Sequence, residues 1–193
     1  MILCPASLNS NGHPLVWNVH DRITKVTAEA HLSEWLSLSP PVTVETPYTK
    51  NLPPSPPNET HFLDLDTADE LALRSLLVGV VHRSLFHYHE ARGFLLDATA
   101  RQVEAKWIVA LSFFELAVLR LKETDASAKA DCPEPDSSRL KALWKAGLKE
   151  AGQLLDRASE SSANTDLSSR LDSRISLVRD EIALKRKLVL GAE

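Results

Sequence analysis

The sequence predicts an all-α protein, chiefly over residues 61–190. Seven of the eleven prolines lie between residues 40 and 57, two more are Pro133 and Pro135, and none lies between residues 58 and 132 or after residue 135. Proline disrupts a helix interior by roughly 3 kcal/mol, so long helices are expected in the two proline-free stretches. Only six glycines occur, and the apolar–polar alternation typical of strands is scarce.

Residues 1–60 are predicted to be a largely irregular N-terminal segment. Residues 1–22 are rich in Ser, Asn, Pro and Gly. One helix is expected at residues 24–38, because apolar residues recur there and the pair Pro40-Pro41 follows. Residues 40–60 are predicted to form an extended proline-rich linker that leads into a helical domain at residues 61–193.

The first three helices of this domain are predicted from capping and apolar spacing. The first begins at a capping box, Thr67 with Glu70, and reaches about Leu85. The second spans about residues 88–101. The third, at about 104–122, is apolar on nearly all sides and is expected to be the most buried. Residues 123–137 carry five acids, one lysine and two prolines and are predicted to form an exposed acidic loop.

The last two helices are predicted on either side of a turn at residues 159–165. The fourth begins after the capping cluster at residues 136–138. The fifth begins near Asp166 and ends in the basic run 185–187, which complements the negative end of the helix dipole. Its apolar residues recur at spacings of four, four, three and four: Leu167, Leu171, Ile175, Val178 and Ile182.

An internal repeat is the most informative feature of the sequence. The pattern Glu-Ala-x3-Leu-x2-Ala begins at Glu90 and again at Glu150. Small alanine side chains let a second helix approach closely, and the larger leucine between them fills the remaining groove. The first copy resembles a tetratricopeptide repeat, whose small, Tyr, Ala, large apolar and Ala positions are matched by Gly79, Tyr88, Ala91, Leu95 and Ala98. His82 and Val103 depart from that signature, and the second copy is degenerate.

Three stretches narrow the resemblance to one eukaryotic family. They are residues 76–83, Trp107 with the run 114–117, and Arg170-Leu171 with Arg174-Ile175 in the final helix. Over residues 62–190 the chain resembles the C-terminal part of the fungal inclusion-body clearance proteins, first described as outer mitochondrial membrane proteins, and of their animal tetratricopeptide relatives. Family members are several times longer, so the resemblance covers only the end of such a protein.

The resemblance implies an all-α stack of two degenerate helical repeats and a C-terminal capping helix, with no enzymatic activity and no cofactor. It also implies binding to proteins, lipid-droplet proteins among them, and a role in clearing misfolded-protein inclusions. The implied location is the cytoplasm, with the nucleus and the mitochondrial outer surface as further settings.

Charge and composition limit the remaining classes of function. The net charge is -4, so no overall basic field attracts nucleic acid. The two cysteines, Cys4 and Cys132, are too far apart to form a metal motif. No apolar run is long enough for a transmembrane helix. The basic residues of the last helix are expected to form a solvated face, and peripheral contact with lipid is left open as an alternative.

A histidine-based metal or ligand site in a small helical bundle is the alternative function. His82, His87 and His89 crowd together, and imidazole is a common metal ligand. No cysteine or carboxylate completes a convincing set of ligands at metal-binding spacing, so no metal is predicted.

A partner-binding groove is predicted where the first helix of each repeat lines a concave surface. Arg83 is expected to act there as a charged tether for a partner's carboxylate. The predicted groove residues are Leu73, Leu76, Val80, Arg83, Phe114 and Val118.

Overall fold

A computed structural model describes residues 23–49, 65, 67–130, 137–163 and 168–191. Within these ranges the backbone forms six helices and no strand, so the all-α prediction is confirmed. Expectations for residues 1–22, 50–60 and 131–136 lie outside the described residues. The helices are α1 (Lys25–Leu36), α2 (Ala68–Ser84), α3 (Tyr88–Ala100), α4 (Lys106–Ala130), α5 (Ser137–Ser162) and α6 (Ser168–Leu190).

The chain divides into two compact units, and the division falls inside α4. The first unit contains the described residues up to Ser112, and the second contains the described residues from Phe113 onwards. The helix α1 and residues 37–49 therefore belong with α2 and α3. The predicted boundary at residue 60 does not coincide with this division.

The segment 40–49 is packed against helices, so the prediction of an extended linker is wrong for these residues. The Arg74 Nη1 atom donates to the carbonyls of Leu38 and Pro40, both at 2.8 Å. The side chain of Thr46 is buried, and the Tyr48 hydroxyl donates to Glu29 of α1 at 3.2 Å. Proline content alone suggested an extended chain, but these side-chain contacts fold it onto α1 and α2.

The first unit depends on a close approach between α2 and α3. The predicted capping box starts α2, with the Glu70 amide donating to the Thr67 hydroxyl and the Thr67 amide to the Glu70 carboxylate. A Cβ built on Gly79 would lie 2.8 Å from the Leu95 Cγ atom, so only hydrogen fits between the helices at this point. The three residues of α3 that continue this contact surface, Ala91, Leu95 and Ala98, have no exposed surface.

Helix α4 is longer than the apolar pattern predicted. It continues to Ala130, so the prediction of an acidic loop is wrong for residues 123–130. The Thr124 hydroxyl is fully buried and donates to the Arg120 carbonyl at 2.8 Å, and Lys129 pairs with Asp125 one turn away at 2.6 Å. Three alanines and Lys129 in this stretch favour helix, and the pairing of Asp125 with Lys129 stabilises it further. The expectation of greatest burial holds for residues 112–119, all of which are buried.

In the second unit α5 and α6 pack against each other and against the later part of α4. The predicted apolar stripe of α6 is confirmed at Leu171, Ile175, Val178 and Ile182, all of which are buried. The helix α5 ends at Ser162, later than the predicted turn, because the serine hydroxyl donates to a carbonyl of the last turn at 3.0 Å. Leu167 lies outside the described residues.

One buried carboxylate ties α6 to α4. The Arg174 Nη2 atom lies 3.2 Å from Glu115 Oε1, and the guanidinium stands 4.3 Å above the centre of the Phe114 ring. The Glu115 side chain is almost fully buried, so the positive charge beside it offsets much of the cost of removing a carboxylate from water. Glu115 and Arg174 come from two separate stretches of the family resemblance, and the fold brings them into contact.

We predict opposite effects for two glycine-to-alanine changes in helix interiors. Gly79→Ala should lower the free energy of unfolding by about 1–2 kcal/mol, since the new methyl group would overlap Leu95. In Gly152→Ala the nearest atom is 4.0 Å from the new Cβ, so greater helix propensity should raise that free energy by up to about 1 kcal/mol. Urea denaturation measures both. Stabilisation by Gly79→Ala would contradict the close approach of α2 and α3.

We predict unequal effects for two arginine truncations on α6. Arg174→Ala removes the charge beside buried Glu115 and should destabilise by about 2–3 kcal/mol. Arg179→Ala is the matched control, because both side chains of the pair that Arg179 forms with Asp156, at 2.7 Å, are exposed. Loss of this pair should lower the free energy of unfolding by no more than about 0.5 kcal/mol. Thermal and urea unfolding of both variants provide the comparison, and equal effects would refute the role given to Glu115.

Candidate functional site

The predicted partner groove is not at the surface. Leu76, Val80, Phe114 and Val118 are buried, and Leu73 is half-buried. These residues fill the interiors of their units, because a helix pair that packs tightly turns its apolar residues inward. The apolar spacing identified core positions correctly but could not distinguish a core from a groove.

Arg83 is the clearest correction to the predicted site. Its side chain is 1% exposed, so it does not reach solvent as a tether for a partner's carboxylate. Reversing its charge would place a carboxylate in the interior of the first unit. Arg83→Glu is therefore expected to unfold this unit, and it is unsuitable as a probe of binding.

Two of the three candidate histidines come together beside α2. The Nδ1 atoms of His82 and His87 are 3.4 Å apart, and the His82 ring stacks on Phe94 with centroids 5.5 Å apart. The Tyr48 ring lies 5.7 Å from that of His82 and 6.0 Å from that of His87. We call these four residues the histidine cluster. His89 is exposed and lies outside it.

Within the cluster His82 is held in its neutral form. Burial, with a smaller contribution from the neighbouring His87, lowers the pKa of His82 to about 4, although Glu90 acts in the opposite direction. The His82 Nε2 atom is buried and has no hydrogen-bond partner among the described residues. Burial also raises the pKa of the Tyr48 phenol, and Glu29 adds to that effect.

The histidine cluster does not form the site that the alternative function requires. That function needs His82, His87 and His89 to converge in a closed pocket, and His89 points elsewhere. In the part of the chain that the structure describes, no three His, Cys, Asp or Glu side chains stand close enough to hold a metal ion. The stacked rings instead fill the space between α2, α3 and the segment that carries Tyr48.

An exposed aromatic side chain stands out at the turn between α2 and α3. Phe86 has a φ of 63°, the left-handed conformation that is unfavourable for a bulky residue. The His87 amide donates to the His82 carbonyl at 2.9 Å and the Phe86 amide to the Arg83 carbonyl at 3.1 Å. These two bonds form a Schellman motif, which places Phe86 at the position usually occupied by glycine.

Packing of the Phe86 ring within the fold does little to offset this strain. The ring is 73% exposed, and it approaches the ring of Tyr88 edge-on, with centroids 6.1 Å apart. The turn nevertheless holds the side chain at a defined position, because two backbone hydrogen bonds fix its main chain. Sequence analysis missed this residue. The signal was the absence of glycine in the short connection between two predicted helices.

Three of the six basic residues of α6 make contacts within the second unit. Arg174 contacts Glu115, Arg179 pairs with Asp156, and the Lys185 Nζ atom lies 4.9 Å from the centre of the Trp144 ring. These contacts involve three of the basic residues on which the alternative of peripheral lipid contact depends. No helix in the described ranges carries an apolar stretch able to cross a membrane.

An open depression of about 540 Å³ lies between the end of α4 and the start of α5. Among the described residues its lining combines small or apolar side chains with one arginine. The lining residues are Ser127, Ala130, Arg139, Ala142 and Leu143.

No protein-family model, curated protein or solved structure matches this chain.

We predict that the buried His82 makes stability depend on pH below its unfolded pKa of about 6.5. Because the folded pKa is lowered to about 4, the unfolded chain takes up a proton first as the pH falls. Neutral His82 therefore contributes its full share to the free energy of unfolding above about pH 6.5, and this contribution falls as the pH decreases towards about 4. The loss should reach about 2 kcal/mol between about pH 7.5 and about pH 5.

Urea denaturation at the two pH values measures this loss in the wild type, in His82→Phe and in the exposed control His89→Gln. The loss attributable to His82 should disappear in His82→Phe and remain in His89→Gln. An unchanged pH dependence in His82→Phe would mean that His82 is not held neutral by the fold.

Proposed function

We propose that this chain is a non-enzymatic helical-repeat module that binds proteins, and that Phe86 is an anchor of its binding surface. The observation that carries the proposal is a large aromatic side chain that is exposed and also held in a strained conformation. Such a combination is expected where the side chain has a use outside the fold.

The energetics favour a binding role for this ring. A bulky residue in the left-handed region costs about 1–2 kcal/mol relative to a relaxed conformation. Burying a phenylalanine ring against a partner would return about 1.5–3 kcal/mol. The Schellman hydrogen bonds fix the turn before the partner arrives, so little conformational entropy is lost on binding. Aromatic side chains with these properties are typical binding hot spots.

A tetratricopeptide-type arrangement of α2 and α3 belongs to the same proposal. The contact of Gly79 with Leu95, and the complete burial of Ala91 and Ala98, support a pair of this type. In the second copy of the repeat the three matching residues, Ala151, Leu155 and Ala158, also have no exposed surface. In such repeats the assembled surface performs the function and no reactive residue is needed.

The family resemblance supplies the cellular setting of the proposal. It points to clearance of misfolded-protein inclusions and to lipid-droplet proteins as partners, in the cytoplasm or nucleus or at the mitochondrial outer surface. Phe86 itself is not one of the residues that carry the resemblance. A partner that contacts Phe86 would therefore support the role of this residue independently of the family resemblance.

We predict that Phe86→Gly stabilises the chain and weakens partner binding. Relief of strain should raise the free energy of unfolding by about 1 kcal/mol, because glycine adopts this conformation freely. Capture of partners from native cell extract by the immobilised full chain should fall at least about tenfold, since the aromatic anchor is gone. Urea denaturation and quantitative mass spectrometry of the bound proteins measure the two effects.

Leu96→Ala is the matched control, because Leu96 is an exposed apolar residue of the same unit. Capture by this variant should equal that of the wild type. A gain in stability without loss of binding would leave Phe86 as an unused strained residue and would overturn the proposed site. Turnover of a substrate by the purified chain would overturn the non-enzymatic function.

A further inference from the structure

The outward face of α6 carries a second apolar feature, which we call the leucine stripe. Leu177, Leu184 and Leu188 are 45%, 57% and 56% exposed. At 100° per residue they fall within an arc of about 40°, well away from the buried stripe of the same helix. Single exposed leucines are ordinary, but three aligned on one helix face form an apolar strip, with Leu184 and Leu188 one turn apart and Leu177 two turns before Leu184.

Charged residues of both signs flank the leucine stripe. Asp180 and Lys187 lie on one flank, and Glu181 and Lys185 lie on the other. Asp180, Glu181 and Lys187 form no ion pair with any residue that the structure describes, whereas Lys185 lies over Trp144. A surface that binds anionic lipid is expected to carry an excess of positive charge beside its apolar face. Each flank here carries one acid and one lysine, so the leucine stripe has no such excess.

The order of the charges is complementary to itself when two copies of α6 run antiparallel. With Leu177 of one copy opposite Leu188 of the other, each flank faces the same flank of its partner, as twofold symmetry requires. Asp180 then lies within about one turn of Lys187 from the second copy, and Glu181 lies near Lys185. Each opposite-charge contact is made twice by symmetry.

If the two α6 helices ran parallel, like charges would meet. Each flank of one copy would then face the opposite flank of the other copy at the same height, so Asp180 would meet Glu181 and Lys187 would meet Lys185. These are repulsions between like charges. The two acids precede the two lysines along the helix, and this order is what selects the antiparallel arrangement.

We propose that the chain forms a symmetric dimer through antiparallel contact of the leucine stripes of two α6 helices. Three leucines from each copy interdigitate across the twofold axis, and the two pairs of flanking charges set the orientation. The site is on a different helix from Phe86 and does not depend on the proposed partner binding.

The first experiment measures the mass of the full chain over a range of concentrations by sedimentation equilibrium. The wild type should show a monomer–dimer equilibrium. Leu184→Glu should raise the dimer dissociation constant at least about tenfold, because a carboxylate replaces a central apolar contact. Leu96→Glu places the same charge at an exposed leucine of the first unit and should leave the dimer unchanged. A wild type that stays monomeric throughout, or equal effects of both variants, overturns the proposal.

The second experiment exchanges the charges on one flank. Asp180→Lys places lysines opposite lysines, and Lys187→Asp places acids opposite acids, so each variant alone should be mainly monomeric. An equimolar mixture of the two should form heterodimers, and the double variant Asp180→Lys, Lys187→Asp should dimerise again. Failure of both rescues would contradict the antiparallel charge pairing.

Flotation with vesicles of phosphatidylcholine and phosphatidylserine separates this proposal from lipid binding. The wild type should stay unbound at concentrations where it dimerises. Binding of monomers to the vesicles, lost in Leu184→Glu, would assign the leucine stripe to a lipid surface and overturn the dimer. Helical circular dichroism equal to the wild type confirms that each variant is folded.

Discussion

The absence of a side chain at Gly79 is the constraint on which the first unit depends. Because only hydrogen separates α2 from Leu95 at this point, the two helices lie close along their length and bury Ala91 and Ala98 completely. The same approach brings the Ser75 hydroxyl within 2.6 Å of the Asp97 carboxylate. It also requires a short, sharp connection between the helices, and the Schellman motif that makes this connection turns Phe86 outward. The turn thus accounts for the outward position of residue 86, but the fold does not require a phenylalanine there.

The second unit is stabilised in a different way, by cations placed over aromatic rings. Long basic side chains cover the rings with their apolar stems and direct their charges toward acids or solvent. On α6 this arrangement uses Arg174 and Lys185, which lie over rings of α4 and α5, and the exposed leucines lie on another face of the helix. The sequence of α6 therefore presents two apolar stripes, of which packing within the unit covers only one. The three pairs are Arg157 over Phe113, Arg174 over Phe114 and Lys185 over Trp144.

Helix positions could be predicted from the sequence because they depend on local signals. The Thr67 capping box and the spacing of apolar residues in α6 each act within a few turns. The extent of α4 could not be predicted in this way, because burial of Thr124 depends on packing that acidic composition does not reveal. Exposure was the hardest property to predict. Arg83 is charged and buried, whereas Phe86 is apolar and exposed, and both depend on how the turn between α2 and α3 closes.

The Asp69 carboxylate has a consequence for the order in which the chain can assemble. Its two oxygens accept the amides of Glu104 and Ala105, at 2.9 and 3.0 Å, just before α4 begins. The first turn of α2 therefore satisfies backbone donors that are more than thirty residues later in the chain. During synthesis α2 and α3 can pair through local contacts as soon as both have left the ribosome. The two amides before α4 are synthesised later and bond to the first turn of α2, so these bonds become possible after the local contacts between α2 and α3 do.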